Sequence, residues 1–180
     1  MKGREHAAEC ASTQAGIGLL VALLLSLLGC GHPAADGGSA NRPVAPPKPR
    51  LIDGPTGAAD VTPFIAQALA EANAEHAPLL VYVGASWCEP CQHFHDALTR
   101  GELDRSLPGV RFVAFDLDAS KPALMRAGYI SKLIPLFTFP NLDGTASDRH
   151  IEGSIKGPTA VGQNLLPRLR ELLASPVTKP

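Results

Sequence analysis

The longest unbroken apolar run of the chain extends from Ile17 to Leu28 and contains only apolar or small residues. A transmembrane helix needs about 20 such residues, and this run is shorter. It therefore fits the apolar core of an export signal, and Lys2 and Arg4 supply the positive charge that normally precedes such a core. The pattern predicts that residues 1–29 form a signal peptide.

Further along, apolar residues recur with the periods of helices and of buried strands. Thr62-Pro63 is a typical helix start, and apolar residues follow it at helical spacing as far as Ala72. The segment 79–85 is a continuous apolar run, which is typical of a strand buried on both faces. The last helix is expected to be capped by Asn164, with Pro167 in its first turn. Further strands are predicted at 111–116, 136–139 and 150–153, and further helices from the cysteine segment to Arg100, over 121–127 and over 165–173.

The alternation of these elements predicts an α/β domain with a mixed central sheet of about four to five strands and helices on both faces. By contrast, residues 30–58 are rich in Gly, Pro, Ala and Ser and hold too little apolar surface to offset the entropy of ordering. We therefore expect a flexible tether over 30–58 and one folded domain over 59–176.

Charge narrows the possible functions. The chain has 16 Lys and Arg residues against 17 Asp and Glu residues, and its basic residues form no stripe or block. Nucleic-acid binding is therefore not expected, because it normally depends on clustered positive charge.

The clearest chemical signal is the segment GASWCEPCQHFHD at 84–96, where two cysteines three positions apart precede two histidines. Cys88 falls at the junction of a predicted strand and helix, and Pro90 suits the first helical turn. A helix N-terminus stabilises a thiolate, so Cys88 is predicted to be an exposed nucleophile and Cys91 a buried resolving thiol. This spacing permits a small disulfide ring that opens and closes without unfolding the domain.

The segment from Trp87 to Cys91 reads WCEPC and matches the WCxPC motif of the thioredoxin superfamily. Ile134-Pro135 lies where that family has its cis-proline, and Gly153 fits its last strand. The chain resembles this superfamily over residues 59–176, and exported thioredoxin-like lipoproteins and the C-terminal domain of thiol:disulfide interchange reductases in particular. The resemblance implies the thioredoxin fold and thiol:disulfide oxidoreductase activity.

The resemblance also implies roles for residues around the cysteine pair. Pro135 is expected to be cis and to help seat a substrate chain, and Ile134 to offer backbone contact to that chain. Trp87 is expected to shield and shape the surface next to the nucleophile, with Pro90 of the motif supporting the same site.

One position departs from the family pattern. Six residues before the first cysteine, relatives place a buried acid that accepts the proton of the resolving thiol, whereas this chain has Tyr82. A neutral phenol is a poor base at pH 7. Glu89 and His95 are therefore the candidate proton relays, with Glu89 expected to point outward.

A metal-binding alternative exists for the same segment. On a regular helix Cys88, Cys91 and His95 project from one face, whereas His93 projects from the other and is expected on the solvated surface. A set of two cysteines and one histidine could capture Cu(I) or Zn(II) with an outside ligand. We take the redox interpretation as the main hypothesis, with no metal site and no cofactor.

Leu27-Leu28-Gly29-Cys30 resembles the lipobox of bacterial lipoproteins. This resemblance implies cleavage before Cys30, lipidation of its sulfur and attachment to the extracytoplasmic side of a bacterial membrane, which is the periplasmic side in a Gram-negative cell. Cys10 then leaves with the signal. Cys88 and Cys91 remain as thiols in a compartment where disulfides form.

The predicted function is that of a membrane-anchored oxidoreductase that acts on protein disulfides outside the cytoplasm. Glu89 disfavours a thiolate at Cys88, and Ile134 before the proline resembles the reducing thioredoxins, so reduction is the favoured direction. Reduction there requires an electron donor, for which a membrane reductase is expected. Oxidase or isomerase activity, and a non-catalytic binding module on the same fold, are the alternatives.

Overall fold

The computed structural model describes residues 45–175. The predicted signal peptide, Cys30 and the first part of the predicted tether lie outside the described residues. Within residues 45–175, no helix has the length and apolar character needed to cross a lipid bilayer.

Residues 45–175 form five strands, four α-helices and a π-helical turn. Each predicted helix and strand is present, although several ends differ from the prediction. In chain order the elements are β1 (Arg50–Asp53), α1 (Thr62–Ala74), β2 (Leu79–Gly84), α2 (Glu89–Thr99), β3 (Arg111–Asp116), α3 (Leu117–Arg126), β4 (Leu136–Pro140), β5 (Ala146–Glu152), the π-helical turn Val161–Leu165 and α4 (Leu166–Ala174).

The five strands form one mixed sheet in the order β1-β3-β2-β4-β5. β1 and β2 pair parallel with β3, whereas β4 is antiparallel to β2 and β5 is antiparallel to β4. One end of the sheet therefore collects the carboxyl ends of β1, β2, β3 and β5 and the amino end of β4. We call it the cysteine end, because the segment that carries both cysteines follows β2 there.

Two apolar cores show that helices cover both faces of the sheet. Alternate side chains of a strand point to opposite faces. Tyr82 packs in the core that α2 and α4 contribute to, while Val81 and Val83 pack in the core of α1 and α3. β2 is buried at every position, as its continuous apolar run predicted. The expected α/β thioredoxin fold is confirmed.

The predicted boundary of the tether at residue 58 is wrong. Arg50–Asp53 forms β1, an edge strand that pairs with β3. The contact extends towards the N-terminus, where the Gly109 N–H donates to the Pro47 carbonyl oxygen at 2.7 Å. Four residues among prolines and glycines are too few to show the alternation of apolar and polar residues that predicts a strand. They form a strand because they pair with the edge of β3. The folded domain therefore includes residues 50–58.

Two helices begin differently from the prediction because their first N–H groups find other acceptors. The Thr62 N–H donates to Asp60 Oδ1 at 2.9 Å, so Thr62 is the first helical residue of α1 rather than its cap. α3 begins at Leu117 rather than at 121. Its N-cap is Asp116, whose carboxylate accepts a hydrogen bond from the Ala119 N–H at 3.0 Å.

The last helix is longer at its start than the predicted one. Asn164 does not cap it, since Asn164 already lies inside the π-helical turn. Pro167 falls in the first turn of α4, as predicted. In a π turn the N–H groups bond five residues back instead of four, and the Leu166 N–H accordingly donates to the Val161 carbonyl. This shift accommodates a proline within continuous helical chain.

The turn between β4 and β5 packs against the start of α1. Gly144 in this turn has a φ of 83°, and a Cβ atom there would overlap the backbone carbonyl of Thr62. The Tyr129 hydroxyl donates to the Gly144 carbonyl oxygen at 3.0 Å and holds the turn in place. Only glycine suits both this backbone conformation and the space available.

Candidate active site

Both cysteines lie at the cysteine end of the sheet. Cys88 directly precedes α2, and Cys91 lies in the first turn of that helix. Cys88 is the N-cap residue of α2 with an extended backbone, and its carbonyl accepts the Gln92 N–H at 3.0 Å. Pro90 occupies the first helical turn, where its missing N–H is not needed. The two cysteines form a disulfide with their Cα atoms 5.2 Å apart. The free N–H groups and dipole of the helix N-terminus can thus stabilise a thiolate on Cys88 once the disulfide is reduced.

The cysteines differ less in exposure than the sequence predicted. Cys91 is 1% exposed, in keeping with a resolving thiol, but Cys88 is only 5% exposed. The prediction of an exposed Cys88 is therefore wrong for the oxidised protein. Its bond to the buried Cys91 keeps the Cys88 sulfur against the core cluster that contains both residues.

Trp87 lies on the surface beside Cys88. Its side chain is 62% exposed, and its indole N–H donates to Asp118 Oδ2 at 2.7 Å. Asp118 belongs to the first turn of α3. The ring is thus held by a hydrogen bond to a neighbouring helix rather than by core packing.

The Ile134-Pro135 peptide is cis, as the resemblance led us to expect. Pro135 directly precedes β4 at the cysteine end, and its carbonyl oxygen accepts the Gly153 N–H at 2.9 Å. Ile134 packs against the core cluster that contains both cysteines. The residues proposed to seat a substrate chain therefore lie at the same end of the sheet as the disulfide.

Glu89 points away from Cys91. Its Oε1 accepts a hydrogen bond from the Gly157 N–H at 3.0 Å and lies 3.6 Å from His93 Nε2. Gly157 belongs to the segment that follows β5. The outward orientation expected for this carboxylate is thus observed, and its position between the two cysteines keeps its charge near Cys88.

A cavity of about 400 Å³ opens behind Cys91, on the α2 side of the sheet. The residues that line it and bear on the chemistry are Cys91, Tyr82, His95, Asp53 and Asp116. The sequence analysis did not single out Asp53 or Asp116. Asp116 ends a predicted strand, and the carboxyl ends of parallel strands lie at one edge of a sheet. Its position near the cysteine segment could therefore have been predicted. Asp53 ends β1, which was taken for tether, and so it gave no signal.

Tyr82 cannot serve as the base that this family position normally supplies. Its side chain is 1% exposed, and its hydroxyl has no hydrogen-bond partner among the described residues. Burial, helped by the negative charge of Asp116, raises the pKa of the Tyr82 phenol above its ordinary value of 10.0. The hydroxyl lies against Gly84, where any side chain would overlap it.

The two histidines of α2 lie on different sides of the helix. The His95 ring lies 5.2 Å from the Tyr82 ring, centroid to centroid, and lines the cavity together with Cys91. His93 instead approaches Glu89 and borders a second cavity beside the π-helical turn. Partial burial lowers the pKa of His95, and the charges of Asp53 and Asp96 partly oppose this shift.

The three-ligand set considered for a metal is not formed in this structure. Across the described range 45–175, no group of three or more His, Cys, Asp or Glu side chains is arranged to hold a metal ion. Both cysteine sulfurs are engaged in the disulfide.

Comparison with known proteins gives one family match. The model of a family described as thioredoxin-like matches residues 60–141. No curated protein matches the chain. Similar solved structures include a poplar wild-type thioredoxin h, with 23% identity over 72% of this chain and 99% of that chain and a TM-score of 0.43. A thioredoxin from Trypanosoma brucei brucei has 17% identity over 74% of this chain and 97% of that chain, with a TM-score of 0.42.

The family match covers the elements from α1 to β4, which include the cysteine pair and the cis-proline. The observed sheet order and the helices on both of its faces are those of the thioredoxin fold. The chain thus has the thioredoxin fold, and over residues 60–141 it is similar to a family described as thioredoxin-like.

Proposed function

We propose that this protein is an extracytoplasmic, membrane-anchored oxidoreductase that reduces protein disulfides with Cys88 and Cys91. The observation that carries the proposal is the cysteine pair at the N-terminus of α2, joined as a reversible disulfide at the cysteine end of the sheet. A thiolate at that position receives free backbone N–H groups and the positive end of the helix dipole.

The reaction has two exchange steps. The Cys88 thiolate attacks one sulfur of the substrate disulfide, and the other substrate sulfur leaves as a thiolate and takes up a proton. The Cys91 thiolate then attacks Cys88 in the mixed disulfide and releases the second substrate thiol. The substrate gains two electrons, and the protein ends in the Cys88–Cys91 disulfide that the structure shows.

The surface around the pair favours a protein substrate. Trp87, Leu133 and Ile155 are large apolar residues that are exposed, and all three lie in segments at the cysteine end of the sheet. Exposed apolar residues grouped in this way are typical of surfaces that bind other proteins. Ile134 and Pro135 lie between them in the chain and the site, where they would seat the substrate segment that carries the disulfide.

The redox potential tests the direction of the reaction. Full-length protein equilibrated in graded glutathione buffers is expected to show a potential closer to that of thioredoxin, about −270 mV, than to the strong oxidants near −120 mV. Free Cys88 and Cys91 are quantified by alkylation and mass spectrometry. A potential above about −150 mV would contradict the reductase assignment and favour the oxidase or isomerase alternative.

Glu89→Gln is expected to raise this potential by about 10–20 mV, or roughly 0.5–1 kcal/mol for two electrons. The negative charge of Glu89 destabilises the Cys88 thiolate and hence the reduced protein, so its removal favours reduction of the disulfide. Glu102→Gln is the matched control, since Glu102 lies beyond the far end of α2 and pairs with Arg100. An equal shift in both variants, or a shift to lower potential, would argue against this role of Glu89.

The proposed anchor is a lipid on Cys30, attached through the tether that ends before β1. A membrane reductase would then supply electrons to the oxidised Cys88–Cys91 pair. Cys30→Ser expressed in a bacterial host is expected to move the protein from the membrane fraction to the soluble fraction. Cys10→Ser is the matched control and should remain with the membrane. Retention of the Cys30 variant in the membrane would contradict lipid anchoring at this residue.

A further inference from the structure

The second exchange step requires Cys91 to lose its proton. The thiolate is the attacking form, and Cys91 is almost completely buried, where a charged sulfur is poorly solvated. A proton acceptor must therefore reach it from within the protein. Tyr82 occupies the expected position for such an acid or base but is a neutral, buried phenol.

The cavity behind Cys91 provides a route for the proton. Residues i and i+4 of a helix are neighbours on its surface, which places His95 next to Cys91 on the side of α2 that borders the cavity. A volume of about 400 Å³ holds several water molecules at roughly 30 Å³ each, and polar partners are needed to keep them there. The polar side chains of Asp53, Gln92 and Asp116 line the cavity and can supply such partners.

Three of the acidic groups near Cys91 already have other partners. The Glu89 carboxylate is bound to the Gly157 N–H outside the cavity. The Asp116 carboxylate caps α3 through the Ala119 N–H. Asp96 also borders the cavity, and its Oδ2 lies 3.8 Å from Arg100 Nη1. Asp53 and His95 remain, and of these His95 lies one helical turn from Cys91 on α2, whereas Asp53 is at the end of β1.

We propose that His95 accepts the proton of Cys91 through the cavity during the second exchange step, with Asp53 stabilising the charged imidazolium. This inference rests on the proposed reductase function. The Cys91 S–H proton passes to His95, the resulting thiolate attacks Cys88, and the bond between Cys88 and the substrate sulfur breaks. The substrate sulfur leaves with the electron pair and is protonated, and His95 returns its proton to solvent at the cavity mouth.

The charges around His95 suit this task. Asp53 from β1 and Asp96 from α2 act on the His95 ring through their charges, Asp116 from β3 borders the same cavity, and the Tyr82 ring from β2 packs on the imidazole. Partial burial keeps the pKa of His95 below its ordinary value of 6.5, so the ring is neutral and able to accept a proton at pH 7. The nearby carboxylates then favour the imidazolium when the proton arrives.

The test measures the second step alone. Full-length reduced protein is mixed with a small excess of a fluorogenic protein disulfide, and release of the second substrate thiol is followed by stopped flow between pH 5 and pH 9. In the unaltered protein the rate is expected to rise as His95 loses its proton and then to level off. His95→Gln should slow the step about 10²-fold at pH 7, as expected for loss of a general base. The rate of the second step in His95→Gln should keep rising with pH, because hydroxide and buffer then accept the proton of Cys91 in place of His95.

Two further variants distinguish a proton relay from a structural role. Asp53→Asn keeps the size of the side chain and is expected to shift the midpoint of the rate profile to lower pH, because it removes a charge that favours the imidazolium. His93→Gln changes the other histidine of α2 and should leave the profile unchanged. If the His95→Gln and unaltered profiles coincide, or if Asp53→Asn leaves the midpoint in place, the inference is wrong. If the unaltered protein exchanges no disulfide at all, the proposed function itself fails.

Discussion

Cys88→Ser is expected to lower the rate of protein disulfide reduction by more than about 10³-fold, because a serine hydroxyl does not ionise near pH 7 and cannot replace the attacking thiolate. Cys91→Ser is expected to keep the first attack but to stop after it. The protein should then accumulate as a covalent complex with its substrate through Cys88, in a ratio of one to one. Non-reducing electrophoresis and mass spectrometry of the full-length protein detect this complex.

The two serine variants control for each other. Both remove the disulfide and leave similar volume at the N-terminus of α2, so a loss of stability would affect them in a similar way. A loss of stability alone does not predict that Cys88→Ser is inactive while Cys91→Ser accumulates as a mixed disulfide with its substrate. The assignment of Cys88 as nucleophile and Cys91 as resolving thiol does. Turnover by Cys88→Ser, or trapping through Cys91 in place of Cys88, would reverse or overturn the assignment.

Gly144→Ala is expected to lower the free energy of unfolding by about 2–5 kcal/mol, a large part of the stability of a domain of this size. A positive φ of 83° costs an alanine about 1–2 kcal/mol, and the overlap of its Cβ atom with the Thr62 carbonyl adds about 1–3 kcal/mol. The turn cannot simply move away, because the Tyr129 hydroxyl holds its carbonyl in the core. Urea denaturation followed by circular dichroism measures the loss.

Gly57→Ala separates the two causes. Gly57 has a similar φ of 71°, but a Cβ atom there would meet no other atom within 4 Å. It should therefore lose only the backbone component, about 1–2 kcal/mol. Equal losses in the two variants would show that the contact with α1 contributes nothing.

The sequence predicted best those parts of the fold that depend on local pattern. β2 appears as an unbroken apolar run because both of its faces are buried, and α2 begins at the expected place because Pro90 marks a first turn. β1 was missed because its pairing with β3 is a tertiary contact made by only four residues. The start of α3 was missed for a related reason, since its first turn is polar and is set by the Asp116 cap.

The same limits apply to the candidate site. The cysteine pair and Pro135 follow from a compact motif and one further position, so they were readable from the sequence. The low exposure of Cys88 was not, because it depends on the redox state of the pair. Asp53 could not be predicted either. It lines the cavity because it ends β1, and the sequence pattern did not indicate that strand.

The direction of β1 determines where the chain enters the folded domain. Because β1 runs parallel to β2 and β3, the chain enters the domain at the end of the sheet opposite the cysteine end. Lys48, which pairs with Asp104 at 3.0 Å, marks this point of entry. If the protein is anchored as proposed, the tether joins the domain at the end opposite the disulfide and leaves the cysteine end free of the attachment point. A protein substrate and the proposed electron donor would then both have to reach the disulfide at this one end of the sheet.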